Sequence, residues 1–181
     1  TRAAQERLAA LRERPPQIPD RTRRASPRLA ELREPQPLDD AGVAAHLDPG
    51  TLLVAYSIGS ERTVAFALEA GQGKELQGYL IAAGEDELRR RIGDWRKRAQ
   101  ASPPGPRFQA EARALYELLL GPLAEPIGRA QRLVISADGP VHALPYAALA
   151  DERAFLAESK PLAFVSSGTV NARQAVARGQ R

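Results

Sequence analysis

QRLVISADGPVHALPYAAL, Gln131 to Leu149, holds the most structural information in the chain. Leu133, Val134 and Ile135 form a short apolar run of the kind a buried strand needs. Asp138-Gly139 signals a turn, and Pro140 fixes the exit from it. Leu144-Pro145-Tyr146 then sets a rigid bend beside a large ring, and Ala147, Ala148 and Leu149 continue the apolar character. The stretch predicts a core strand, a tight turn, and an apolar hook packed back on a sheet.

Upstream of this stretch, Asp39 and Asp40 are placed to cap a short helix carrying Val43 and Leu47, and Asp48-Pro49-Gly50 is a turn. Thr51 to Ile58 is apolar and β-branched on both faces, which predicts a strand covered on both sides. Arg62 to Glu69 alternates, with Val64, Phe66 and Leu68 on one face and Ala65 and Ala67 on the other, where a helix can approach closely. Glu75 to Ala82 is a weaker third strand, completing a β-meander. Leu88, Ile92, Trp95 and Ala99 recur at helical spacing behind the acidic Glu85-Asp86-Glu87. The single tryptophan lies on that stripe and is read as a core anchor. Phe108, Ala112, Leu115, Tyr116 and Leu119 define a second amphipathic helix, stopped by Gly121-Pro122, with a short helical turn from Leu123 to Ile127. Downstream of the hook, Pro161 to Ser166 is another strand, and Thr169 to Arg178 is helical with Ser167 or Thr169 as its cap.

A strand, then Asp138-Gly139-Pro140, then His142, then Leu144-Pro145-Tyr146 and Leu149 resembles the signature of the CHAT family. This is the caspase-like domain found behind tetratricopeptide repeats; separase is a more distant likeness. Pro49-Gly50-Thr51-Leu52-Leu53 with Tyr56, the run Leu115 to Leu123, and Leu162 to Val165 followed by Ser166-Ser167 extend the resemblance over Leu38 to Val170. Ser166-Ser167-Gly168 departs from it, because such proteins more often carry Pro-Ser-Ala there. The resemblance implies an α/β fold in which the meander and amphipathic helices lead into the first strands of a caspase-like αβα sheet. It also implies that the family's His-Gly and Cys motifs fall after Arg181.

The 181 residues contain no cysteine, which excludes a disulfide framework, a cysteine-ligated zinc and a thiol nucleophile within the chain. There is no methionine and the first residue is Thr1, as expected of a piece of something longer. No apolar run reaches membrane-spanning length and no signal-peptide core is present, so a cytoplasmic address and no membrane partner are expected. The net charge of +4 is uneven. Thr1 to Arg33 holds nine basic and four acidic residues, against 17 and 18 in the remainder. No aromatic residue interleaves the leading arginines, so a solvated basic helix and linker is preferred and nucleic acid is not an expected partner. Ala4, Leu8 and Leu11 share one helical face before Pro15-Pro16, and Ser26-Pro27 opens a second weak helix. Residues 1–37 therefore read as a basic helix and proline-rich linker, the end of an upstream helical repeat array. Residues 38–181 read as the N-terminal part of a CHAT domain.

Few residues invite a catalytic reading. His46 and His142 belong to no metal-binding spacing; His46 suits a helix end and His142 a structural place in the hook. Ser136, Ser166 and Ser167 lie in no nucleophile-elbow motif. Asp138 is a turn former, Glu85 and Glu87 do not aim at one point on a helix, and no phosphate-binding or dinucleotide fingerprint occurs. No catalytic, cofactor-binding or metal residue and no cofactor is assigned. Two function classes follow. In the first, the chain is the nucleophile-free N-terminal part of a caspase-like cysteine peptidase, inactive alone, supporting a downstream catalytic half and linking it to upstream helical repeats. In the second, it is a non-catalytic module that docks a protein partner through the meander and the arginines of the first long helix. In isolation the chain is expected to be folded but prone to association.

Overall fold

The structure, a computed structural model, describes residues 37–101 and 105–179, with the compact unit beginning at Leu38. The helices expected over Thr1 to Arg14 and from Ser26 lie outside the described residues. In chain order the elements are α1 (Asp40–Ala44), β1 (Thr51–Ile58), β2 (Thr63–Glu69), β3 (Gln77–Ile81), α2 (Glu85–Ala101), α3 (Pro106–Leu119) and α4 (Ala124–Arg129). Then follow β4 (Arg132–Ser136), two 3-10 turns (Gly139–Ala143 and Tyr146–Ala148), α5 (Leu156–Ser159), β5 (Leu162–Phe164) and α6 (Gly168–Gly179). No described helix is long and apolar enough to cross a membrane.

All five strands join one sheet in the order β3-β2-β1-β4-β5. The meander is antiparallel, pairing Tyr56 with Ala65 and Ala65 with Tyr79. β4 runs parallel to β1, with Leu52 beside Leu133, and β5 runs parallel to β4, with Leu133 beside Leu162. Only β2 runs against the other four. The α/β class holds, and the meander and the Leu133 strand are parts of one sheet rather than successive layers. The expected strands shorten at their ends: Glu75 and Leu76 stay in the Gly71–Gly73 turn, where both glycines take positive φ. Of Pro161 to Ser166, only Leu162–Phe164 pairs.

Period-2 alternation distributes the strand residues between two layers. On one face Leu52, Val54, Tyr56, Ala65, Ala67, Leu133 and Ile135 pack against Leu88, Ile92 and Trp95 of α2 and Ala112, Leu115 and Leu119 of α3. The alanines of β2 admit these helices, and Trp95 lies against Phe108 with ring centroids 5.2 Å apart. Ala99, expected on the same stripe, is exposed because α2 runs on past the packed region. On the other face, Val43, Ala44 and Leu47 cover Leu53, Leu68 and Val134. The α6 start sits on the same spot, since a Cβ on Gly168 would come 3.0 Å from both Leu53 and Val43. Asp39 caps α1 by accepting from the Gly42 N–H at 2.7 Å, and Ser167 Oγ caps α6 by accepting from Val170 N–H at 3.2 Å. This second face is covered only around Leu53, Leu68 and Val134; Val64 and Phe66 of β2 stay half-buried, and Leu80 is exposed.

Candidate functional site

In an open α/β sheet, ligands gather outside the carboxyl ends of the parallel strands. Here those ends are Ile58, Ser136 and Phe164. The hook is built at this end. Asp138 takes an extended backbone and its Oδ1 accepts from the Gly139 N–H at 2.8 Å. Gly139 then adopts φ 47°, a conformation that suits glycine, and Pro140 starts the 3-10 turn. The turn buries Pro140 and Val141 against the core and returns the chain so that Leu144, Tyr146 and Leu149 are buried as well. Leu149 accepts from Leu156 N–H at 2.7 Å, tying the hook to α5 and so to β5.

Tyr146 is the centre of the arrangement. Its ring lies 6.3 Å from Tyr56 of β1 and 5.7 Å from Phe164 of β5. The three rings run from the core to the sheet edge, where Phe164 is 58% exposed. Tyr56 Oη donates to the Leu119 carbonyl at 3.3 Å, whereas the buried Tyr146 hydroxyl has no well-aligned partner among the described residues. Burial pushes the Tyr146 hydroxyl well above the ordinary phenol range. Burial, with Tyr146 alongside, does the same to Tyr56. The Leu-Pro-aromatic motif signals the buried ring, but sequence reasoning left Phe164 unremarked, because a three-residue strand gives no periodicity to read.

The residues weighed for chemistry do not converge. Ser136 Oγ donates to the Ser166 carbonyl at 3.3 Å, which links β4 to the chain after β5. Ser167 is occupied as a helix cap. Asp138 serves the turn. His142 is exposed in the last turn of the first 3-10 segment, at the carboxyl end of β4. His46 Nδ1 donates to the Gly42 carbonyl at 2.7 Å, just before β1 begins. Because β1 and β4 are parallel, the two histidines stand at opposite ends of the sheet. Glu85 and Glu87 each pair with the arginine four residues on, Arg89 and Arg91, rather than with one another. No cluster of His, Asp and Glu able to hold a metal occurs among the described residues.

A cleft of about 260 Å³ opens at the amino end of β1, between Leu52, Ala67, Glu69, Lys74, Pro126 and Arg129. Glu69 accepts from Lys74 at 2.7 Å and from Arg129 at 2.6 Å, and these bonds hold its carboxyl below the usual range. Arg129 is shared with Glu125. The cations facing the cleft are thus already paired, and neither nucleophile nor histidine lines it. It is an ion-paired corner that ties the β2–β3 turn to α4.

Residues 109–181 match the model of the CHAT domain. No curated protein matches the chain. Solved structures similar to it include the apo psk41 ParM protein, at 12% identity and TM-score 0.36, over 77% of this chain and 48% of that one. The Alp12 filament structure aligns at 8% identity and TM-score 0.36, over 77% and 52%. Ta0583, an archaeal actin homolog, aligns at 14% and 0.36, over 76% and 54%. The chain spans about half the length of these proteins, and a likeness at that level carries no argument. The segment that supplies most of α3, the β4 strand, the hook and β5 is where sequence motif and family model coincide: residues 109–181 match the CHAT domain, the family that Gln131 to Leu149 resembles.

Proposed function

We propose that this chain is the nucleophile-free N-terminal part of a CHAT-type cysteine peptidase, a rigid support onto which a catalytic half docks. The observation that carries this reading is the β5 edge. A three-residue strand inside the matched segment leaves Phe164 exposed while resting on Tyr146, so the hook stiffens an edge that has no further strand among the described residues. An open edge with an apolar ring beside it is a template for another strand. With no cysteine in its 181 residues, the chain needs a thiol nucleophile from other sequence. On this reading the upstream segment links the support to a helical-repeat sensor in a cytoplasmic regulatory peptidase, and His142 is structural.

The test is made in a longer parent that contains the catalytic half. Phe164→Asp is expected to cut peptide-cleavage turnover at least about tenfold, while residues 1–181 carrying the substitution still melt cooperatively, because the ring is 58% exposed. His142→Ala is expected to leave turnover within about threefold, far from the losses of about 10²-fold or more seen when a general base is removed. A parent whose turnover is indifferent to Phe164, and whose halves do not associate in trans, would sink the reading. The interaction-module alternative, with exposed Arg90, Arg96 and Lys97 of α2 as its docking face, would then take its place.

A further inference from the structure

The opposite edge of the sheet is built differently. β3, Gln77-Gly78-Tyr79-Leu80-Ile81, ends the strand order, and its only strand partner is β2. It contains no proline and no charge, the usual guards on an open edge. Leu80 and Leu76, two of the three large exposed apolar side chains among the described residues, belong to the β3 edge, at 61% and 47% exposure. Leu80 stands on the incompletely covered face with Val64 and Phe66. Between them lies Gly78, which pairs with Phe66. The nearest atoms a Cβ there would meet belong to Phe66 and Val64, at 3.8 Å, so the surface over Gly78 is a slot walled by two apolar side chains.

From this edge we infer that β3 pairs antiparallel with β3 of a second copy, about a two-fold axis through Tyr79. Two features of the strand point to a copy of itself rather than an unrelated strand. Centring on Tyr79 pairs all five residues and sets Gly78 opposite Leu80 of the other copy, twice by symmetry. Each exposed leucine thereby enters the slot over the other copy's Gly78, against Phe66 and Val64. The same register places the two Tyr79 rings opposite one another, a favourable cross-strand pair. The joined sheet would have ten strands, with both β5 edges still open. This inference is independent of the peptidase-support reading, which concerns the other edge.

Light scattering after size exclusion, on the whole 181-residue chain from low micromolar to submillimolar concentration, tests it. A concentration-dependent dimer is expected. Leu80→Lys should raise its Kd at least about tenfold, the consequence of losing an anchor worth more than about 1.4 kcal/mol. Gly78→Val provides the second arm. Valine suits a strand and its Cβ makes ordinary van der Waals contact in the single copy, so the melt should hold or rise, yet it fills the slot and should weaken the dimer as much as Leu80→Lys. A chain that stays monomeric throughout overturns the inference. So does a dimer that both substitutions leave unchanged, since its interface would lie elsewhere.

Discussion

Tyr146 is buried between Tyr56 and Phe164, and its hydroxyl, beside that of Tyr56, makes no well-aligned hydrogen bond among the described residues. A buried polar group without a partner costs about 1–3 kcal/mol. Tyr146→Phe keeps the ring contacts and removes that group, so it should stabilise the fold by about 1 kcal/mol, read by chemical denaturation. The pH dependence has a definite sign. Burial raises the folded-state pKa of both tyrosines above the unfolded value. Below about pH 10 both hydroxyls are protonated, folded or unfolded, and contribute no slope. Above it the unfolded chain releases protons that the folded chain retains, so stability falls as pH rises. Tyr146→Phe should flatten that alkaline decline. Gly84 gives an opposite kind of prediction. A Cβ there would lie 1.9 Å from the Ser60 carbonyl oxygen, and backbone cannot swing aside as a side-chain tip can. Gly84→Ala should therefore lower stability by about 1–3 kcal/mol. A melt unchanged by it would mean that the 59–60 turn and the α2 start do not pack as described.

Among the elements, the hook decides how the sheet reaches its edge. Leu133 and Ile135 are fully buried and Leu144 nearly so. Leu133→Ala and Leu144→Ala should each cost about 2–5 kcal/mol, the range for a buried leucine truncated in place. Losses within about 0.5 kcal/mol, typical of surface sites, would reject the packing. These core positions were legible in the sequence because their signals are local: an apolar triplet, Asp-Gly-Pro punctuation, and Leu-Pro-Tyr. The boundaries of β1, α2 and α3 were legible for the same reason. Three features were not. The joining of β4 to β1 is a pairing across roughly 80 residues, and no local pattern encodes it. The Tyr56–Tyr146–Phe164 file depends on that pairing and on a strand too short to show alternation. The Glu69–Lys74–Arg129 corner needs a contact 60 residues apart in sequence. For the candidate site, the sequence correctly set Asp138 aside as a turn residue, and could not reveal that parallel strands send His46 and His142 to opposite ends.

At the scale of the whole molecule, the sheet is a platform with two unlike edges. Helices α2, α3 and α4 seal one face, while α1 and α6 cover part of the other. The β3 edge is five residues long and uncharged; the β5 edge is short, braced by the hook, and lies in the segment that matches the CHAT domain. The central proposal is a division of labour between them, in which the β5 edge would receive a catalytic half. Amide hydrogen exchange at Leu162 and Phe164 reads that edge directly, whereas the Val165 N–H already donates to the Ile135 carbonyl of β4. It compares the isolated chain with the longer parent. Pairing with a new strand should slow exchange at outward-facing amides of this run by at least about tenfold in the parent, with β3 amides unchanged at matched dilution. Equal exchange at β5 in the two proteins would contradict the account.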